Sequence, residues 1–120
     1  MSYDRNNIFA KILRQEIPCK KVYENKYVLS FYDINPQKKV HVLVIPKGEY
    51  TDLDHFHKNA SNEEILEFNK AITHIVKILK ISNSEEGYRV LSNIGNNGGQ
   101  EVPHLHYHIF GGEKIGPMVS

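Results

Sequence analysis

One short segment constrains the fold of this chain more than any other, the run His104-Leu105-His106-Tyr107-His108-Ile109. Strict alternation of two residue classes predicts a half-buried β-strand, because successive side chains of a strand point to opposite faces. The three histidines are therefore expected on one face, about 7 Å apart along the strand, with the three apolar residues on the other. A glycine-rich stretch at 95–99 precedes the run, and Gly111-Gly112 follows it. We expect the chemistry of the protein at this strand.

Hydrophobic periodicity along the rest of the chain predicts an α+β fold. The predicted elements, in chain order, are a short helix at 8–13, strands at 22–24, 27–32 and 40–45, a long helix after Ser61, a strand at 88–93 and the histidine strand. Ser61 and Glu64 form a capping box at the start of the long helix. We expect a five-stranded antiparallel sheet with one short N-terminal helix and one long helix packed on it. Residues 1–120 are expected to form a single domain.

Charge and cysteine content exclude several classes of protein. The formal net charge of +1 gives no electrostatic basis for binding nucleic acid or a membrane surface. Cys19 is the only cysteine of the sequence, so an intrachain disulfide and a cysteine metal cluster are both excluded. The first residues are polar and unlike a signal peptide, and no apolar run is long enough to span a bilayer. We expect a cytoplasmic protein.

Three aligned histidines are compatible with two kinds of chemistry. Histidine is a common zinc ligand, and His41 with two histidines of the run would make a three-ligand site. Alternatively, a neutral imidazole is a nucleophile that can attack phosphorus without a separate base, while a neighbouring histidine binds a phosphate oxygen. His41 interrupts the apolar strand 40–45, and taken alone it is more typical of a hydrogen-bonded core histidine. The residues themselves leave these alternatives open.

A second pair of alternating histidines occurs in Asp54-His55-Phe56-His57. This pair lacks flanking glycines and an apolar strand, so we expect it in an exposed loop before the long helix. A surface patch with some affinity for metal is the alternative.

The motif Gly99-Gln100-x-Val102-x-His104-Leu105-His106-Tyr107-His108 resembles that of the histidine triad (HIT) family, a histidine alternating three times with a hydrophobic residue. Four more blocks resemble its HINT branch in the same order. These blocks are 8–12, 16–18, 31–36 and 41–47. Together they cover nearly the whole chain and make the resemblance highly specific.

The resemblance implies a HIT-like fold and a hydrolase that forms a covalent nucleotidyl-histidine intermediate on a purine nucleoside phosphoramidate or related ester. His106 would attack the α-phosphate, His108 would contact the phosphate and assist the leaving group, and His104 and His41 would support the nucleophile. The implied nucleotide-binding residues are Asp33 at the ribose, Asn93, Gly99, Gln100 and Glu101 around the phosphate, and Ile8, Phe9, Ile12, Phe31, Ile34 and Leu43 around the base. For the apolar residues, core packing is the alternative.

The resemblance also implies a homodimer in which the long helix and the strand after it form the interface. We expect no cofactor and no metal. The structural zinc of many bacterial relatives should be absent, because Asn7 and Ala10 occupy the positions of the cysteine pair that supplies half of its ligands. Glu101 stands where animal HINT proteins have serine, which leaves the leaving group open. A nucleotide-binding regulatory module and a metal-dependent hydrolase remain as alternative functions.

Overall fold

The computed structural model describes residues 2–118. Within this range the chain forms four helices and five strands. In chain order they are α1 (Ile8–Leu13), β1 (Lys21–Glu24), β2 (Val28–Tyr32), β3 (Val40–Pro46), α2 (Leu53–Asn59), α3 (Asn62–Ile78), β4 (Tyr88–Leu91), α4 (Gly95–Gly98) and β5 (Tyr107–Gly111). No helix in this part of the chain combines the length and the apolar character needed to cross a membrane.

The strands form one antiparallel sheet in the order β1-β2-β3-β5-β4, which confirms the predicted fold class. Alternation along β3 and β5 divides the core between the two faces of this sheet. Val42, Val44 and Ile109 point to the face covered by α2 and α3, whereas Leu43 and Ile45 point to the face covered by α1. The predicted capping box opens α3, with Ser61 and Glu64 bonding each other's backbone.

The prediction for the second histidine pair was wrong, because His55 and His57 lie in α2 rather than in a loop. The side chain of Asp52 caps this helix by accepting from the His55 N–H at 2.9 Å. Phe56 is 1% exposed and packs in the α3-side core, which holds the helix to the sheet. A helix of two turns with one buried residue shows too little periodicity to be recognised from its sequence.

The histidine run is also less regular than predicted, since β5 begins only at Tyr107. The segment 102–104 bends, and Leu105 N–H donates to the Tyr50 carbonyl at 2.8 Å instead of pairing with a strand. Pro103 accounts for the bend, because proline has no N–H for a sheet ladder and disfavours regular pairing. The predicted separation of faces still holds, with Leu105 buried on the α3 side. The glycine stretch before the bend forms the helical turn α4 rather than an open loop.

Candidate active site

Pairing of β3 with β5 brings together two histidines that are 67 residues apart. In this ladder Leu43 lies opposite His108, and His41 lies opposite Phe110. His41 and His108 are therefore diagonal neighbours on the α1 face of the sheet, and His41 Nε2 is 2.9 Å from His108 Nδ1. The antiparallel register thus creates the contact, as expected for diagonal pairs on one face of a sheet.

A chain of hydrogen bonds fixes the tautomers of these two rings. The Gln37 backbone N–H donates to His41 Nδ1 at 3.2 Å, so the proton of a neutral His41 is on Nε2. His41 Nε2–H then donates to His108 Nδ1, which leaves the proton of a neutral His108 on its own Nε2. His108 consequently offers an N–H donor to the solvent-facing side of the site.

His106 has the opposite tautomer. Its Nδ1 lies 2.8 Å from the backbone oxygen of His104, and a carbonyl oxygen can only accept, so Nδ1 carries the proton. His106 Nε2 is therefore unprotonated, and it has no hydrogen-bond partner within residues 2–118. Phe9 packs against the His106 ring at a centroid distance of 4.9 Å. His106 is 6% exposed, so its ring is held among other side chains with an unprotonated Nε2, the form of imidazole that can act as a nucleophile.

His104 lies behind His106 and is completely buried. Its Nε2–H donates to the Pro46 carbonyl at 2.8 Å, and its Nδ1 accepts from the Tyr3 hydroxyl. Both ring nitrogens are thus occupied. His104 supports the site through its backbone oxygen and does not line a surface that a ligand can reach.

Burial keeps all four histidines neutral at neutral pH. Desolvation lowers the pKa of His104 to about 4, against the opposing effect of its bond to Pro46. Desolvation and the nearby His106 and His41 lower the pKa of His108 to about 4 as well. The pKa values of His106 and His41 are lowered mainly by burial, with Asp33 opposing the shift in both. Neutral imidazole is the nucleophilic form, so the environment favours nucleophilic chemistry.

His106 and His108 open onto a cavity of about 170 Å³. Eight of the predicted site residues line it, and two residues that sequence reasoning missed complete the wall. The predicted eight are Phe9, Asp33, Leu43, Asn93, Gly99, Glu101, His106 and His108, and the missed two are Gln37 and Val102. The structure thus brings two of the four predicted catalytic histidines, three of the four predicted phosphate residues and the predicted ribose residue to one cavity.

The other four predicted base-pocket residues do not line this cavity. Ile12 and Phe31 are buried beside Phe9 in the α1-side core, so core packing accounts for both. Ile8 and Ile34 are 40% and 81% exposed. Ile34 borders a shallow surface depression next to Asp33 instead.

Gln100, predicted at the phosphate site, faces away from the cavity. Its Nε2 donates to the carbonyls of Thr51 and Val102 at 2.7 and 3.0 Å, and its Oε1 accepts from the Gly95 N–H at 3.1 Å. The amide group therefore joins α4, the bent segment and the chain after β3. In this structure its contacts are structural.

Two hydrogen bonds to the histidines, those of Gln37 and Tyr3, could not be recognised from the pattern of residue types. Gln37 acts through its backbone N–H, which every residue except proline possesses, so its side chain type carries no information. Tyr3 lies 101 positions from His104 in a polar segment without periodicity. Two hydrogen bonds of Asp33 help to place the chain before Gln37. Its Oδ1 accepts from the Asn35 N–H at 2.8 Å in an Asx turn, and its backbone N–H donates to the His41 carbonyl at 3.1 Å.

One group of described residues has the composition of a metal site, namely Asp33, His41 and His108, whose ligand atoms lie within 4.8 Å of one another. Asp33 Oδ2 is 3.5 Å from His41 Nε2. Binding a metal through His41 Nε2 requires a proton on Nδ1, which would then face the Gln37 N–H. Two donors would oppose each other there. The hydrogen bonds of this group therefore favour a fixed pair of tautomers over metal ligation.

Comparison with known proteins gives a consistent result. Residues 14–115 match the model of the HIT domain. A HIT-like protein of Azospirillum brasilense is 50% identical over 119 residues, covering 99% of this chain and 96% of that protein. A purine nucleoside phosphoramidase of Escherichia coli is 40% identical over 114 residues, covering 94% and 92%. The solved structure of a HIT family hydrolase from Clostridium thermocellum is 36% identical, covers 98% of this chain and 99% of its own, and superposes with a TM-score of 0.82.

Proposed function

The chain belongs to the HIT family, and from this premise we propose that it hydrolyses the P–N bond of purine nucleoside 5′-phosphoramidates through a nucleotidyl-histidine intermediate. One observation carries the proposal, the unprotonated Nε2 of His106 beside the Nε2–H of His108 at the same cavity. A nucleophile and a donor for a phosphate oxygen are both present in their neutral forms. The Escherichia coli relative named as a phosphoramidase supports the choice of substrate.

The proposed reaction has two steps. In the first, His106 Nε2 attacks the α-phosphorus while His108 Nε2–H donates to a phosphate oxygen, and the P–N bond to the leaving amine breaks. Water supplies the proton with which the amine departs. In the second, a water molecule attacks the same phosphorus, the bond to His106 breaks, and the water returns a proton to solvent. The products are the amine and the nucleoside monophosphate, and His106 regains its starting state.

The remaining cavity residues suit the rest of a nucleotide. Asp33 is a carboxylate acceptor that matches the two hydroxyls of a ribose, and Phe9 with Leu43 gives an apolar surface for a purine. Backbone near Gly99 can approach phosphate closely because a glycine has no side chain in the way. In this arrangement the base lies on the α1 side and the leaving amine towards Glu101.

Replacement of the nucleophile tests the function directly. We predict that His106→Ala reduces turnover of adenosine 5′-phosphoramidate by about a thousandfold or more, while AMP binding measured by calorimetry survives. His57→Ala is the control, since His57 is exposed on α2. Mass spectrometry after an alkaline quench should find the AMP adduct on the peptide that contains His106. Full turnover by His106→Ala would overturn the proposal, and tight AMP binding without turnover by the wild type would favour a binding module.

We also propose that the protein acts as a homodimer. β4 is an edge strand of the sheet, and exposed strand edges favour pairing with another chain. Tyr88 at the start of β4 is 39% exposed, and Leu66 and Ile78 on α3 are each 53% exposed. These are large apolar side chains on the two elements that the family resemblance assigns to the interface.

A further inference from the structure

We infer that Tyr3 is a positioning residue for the catalytic histidines, acting through His104. The inference rests on the function proposed above. It concerns a residue of the N-terminal segment, residues 2–7, that does not touch the nucleotide cavity. The observation behind it is a hydrogen bond between the Tyr3 hydroxyl and His104 Nδ1, supported by edge-to-face packing of the two rings at 5.5 Å.

The N-terminal segment is held in place by contacts of its own. Arg5 forms an ion pair with Glu49 at 3.0 Å, and Arg14 donates to the Arg5 carbonyl at 2.8 Å. Asn7 caps α1 and donates its side-chain amide to the Asp4 carbonyl at 2.7 Å. The segment that positions Tyr3 next to His104 is thus bonded both to α1 and to the chain after β3.

The direction of the hydrogen bond follows from the other side of the His104 ring. His104 Nε2 must donate, because its partner is the carbonyl oxygen of Pro46. A neutral His104 then has a lone pair on Nδ1, and the Tyr3 hydroxyl is the donor that satisfies it. His104 is 0% exposed, so bulk water cannot replace this donor. Loss of the hydroxyl would leave a buried acceptor without a partner.

The effect reaches the nucleophile through the backbone of His104. The same residue whose ring is held by Tyr3 and Pro46 supplies the carbonyl oxygen that accepts from His106 Nδ1. That bond keeps the lone pair of His106 on Nε2, directed at the cavity. His104 lies in the bent part of the chain, where no strand ladder fixes its orientation. The peptide group that carries this carbonyl is held on its other side by the Leu105 N–H, which donates to the Tyr50 carbonyl at 2.8 Å. The ring contacts of His104 and this bond together determine where the carbonyl points.

The test compares Tyr3→Phe, which keeps the ring and removes the hydroxyl, with Tyr27→Phe, a similar half-buried tyrosine in the β1–β2 hairpin. We expect Tyr3→Phe to lower kcat for adenosine 5′-phosphoramidate by about tenfold, as for a small displacement of a reacting group, with KM nearly unchanged. Tyr27→Phe should behave as wild type.

Imidazole ¹⁵N NMR of the same proteins supplies a readout that does not require activity. Wild-type His104 should show a single tautomer with the proton on Nε2, where it donates to the Pro46 carbonyl. Tyr3→Phe should keep that proton on Nε2 and shift the Nδ1 resonance towards that of a lone pair without a hydrogen bond. Unchanged His104 shifts in Tyr3→Phe, or a wild-type His104 without that tautomer, would overturn the inference whatever the kinetics. A wild type that has the tautomer but does not cleave the substrate would count against the proposed function alone.

Discussion

At the scale of single residues, the site depends on which ring nitrogen of each histidine carries the proton. Each of the two histidines at the cavity has one ring nitrogen bonded inside the protein, His106 to a backbone carbonyl and His108 to His41. The two bonds have opposite polarity, so one ring presents a lone pair and the other an N–H. Two chemically identical side chains acquire different roles because their inner partners differ.

Burial of His104 predicts how stability depends on pH. The pKa of His104 is about 4 in the folded protein and 6.5 for an unperturbed histidine. Between these values the unfolded chain binds a proton that the folded protein does not. The stabilisation is therefore complete above pH 6.5 and is lost as the pH falls towards 4, by up to roughly 3 kcal/mol.

Urea unfolding at a fixed protein concentration, at several pH values from 7 to 4.5, measures this effect. We expect the free energy of unfolding of the wild type to decrease as the pH is lowered, and that of His104→Gln to decrease less steeply. His57→Gln removes an exposed histidine and should keep the wild-type slope. A slope in His104→Gln equal to that of the wild type would contradict the prediction.

At the scale of elements, the site forms where two strands and a helical turn meet. β3 contributes His41, β5 contributes His108, and the turn α4 ends at Gly99 beside the cavity. Gly99 has φ +76°, which closes the turn in the left-handed conformation. The chain then enters the bent segment that leads to His106. A change at this turn should therefore act on folding through backbone conformation rather than packing.

Alanine substitutions at the adjacent Gly98 and Gly99 distinguish the effect of backbone conformation from that of side-chain packing. A Cβ at Gly99 would meet nothing within 4 Å, so the cost of Gly99→Ala is conformational, about 1 kcal/mol of unfolding free energy. Gly98 has no positive φ, and a Cβ there makes an ordinary contact of 3.5 Å with Asn93. Gly98→Ala should be neutral or slightly stabilising. Thermal unfolding of both variants checks the prediction, which an equal loss of stability in the two would contradict.

The sequence predicted the parts of this site that depend on a regular period. Alternation at 104–109 separated the faces correctly, and the apolar strand 40–45 placed His41 on a central strand. The bend was missed although Pro103 is visible in the sequence, because the acceptor that replaces strand pairing for Leu105 is the distant Tyr50 carbonyl. The helix α2 was missed because its packing depends on a tertiary contact, that of Phe56 with the core. The Tyr3 and Gln37 contacts were invisible for the same reason. The family resemblance identified cavity residues such as Asn93, which the hydrophobic periodicity of the sequence does not indicate.

At the scale of the whole molecule, the two faces of the sheet differ in the residues that they carry. The α3 face contains the larger core, including Phe68 and Ile75, and no histidine of the triad. The α1 face has a smaller apolar cluster and, beside it, the two histidines that line the cavity. Exposed apolar side chains remain on α3 and β4, away from the cavity. This distribution allows two copies to associate without closing the site.

Charge introduced at the proposed interface tests that association. We expect light scattering after gel filtration to give the mass of a dimer for the wild type, and Ile78→Glu to shift the protein to monomer because a carboxylate would be buried there. Ile34→Glu makes the same change at a side chain that is 81% exposed on the loop after β2 and should remain dimeric. A monomeric wild type would contradict the proposal.

The bent segment before β5 is held by three backbone carbonyls, those of Pro46, Tyr50 and Thr51. Every amino acid supplies a carbonyl, whereas two of the donors are the side chains of His104 and Gln100. The two sides of this junction therefore respond differently to mutation, because one contributes backbone acceptors and the other contributes side-chain donors. The carbonyls of residues 50 and 51 are acceptors whatever side chains those residues carry, while replacement of His104 or Gln100 removes a donor. The bonds that hold the segment before His106 therefore depend on the side chains of that segment and on the backbone alone of residues 46, 50 and 51.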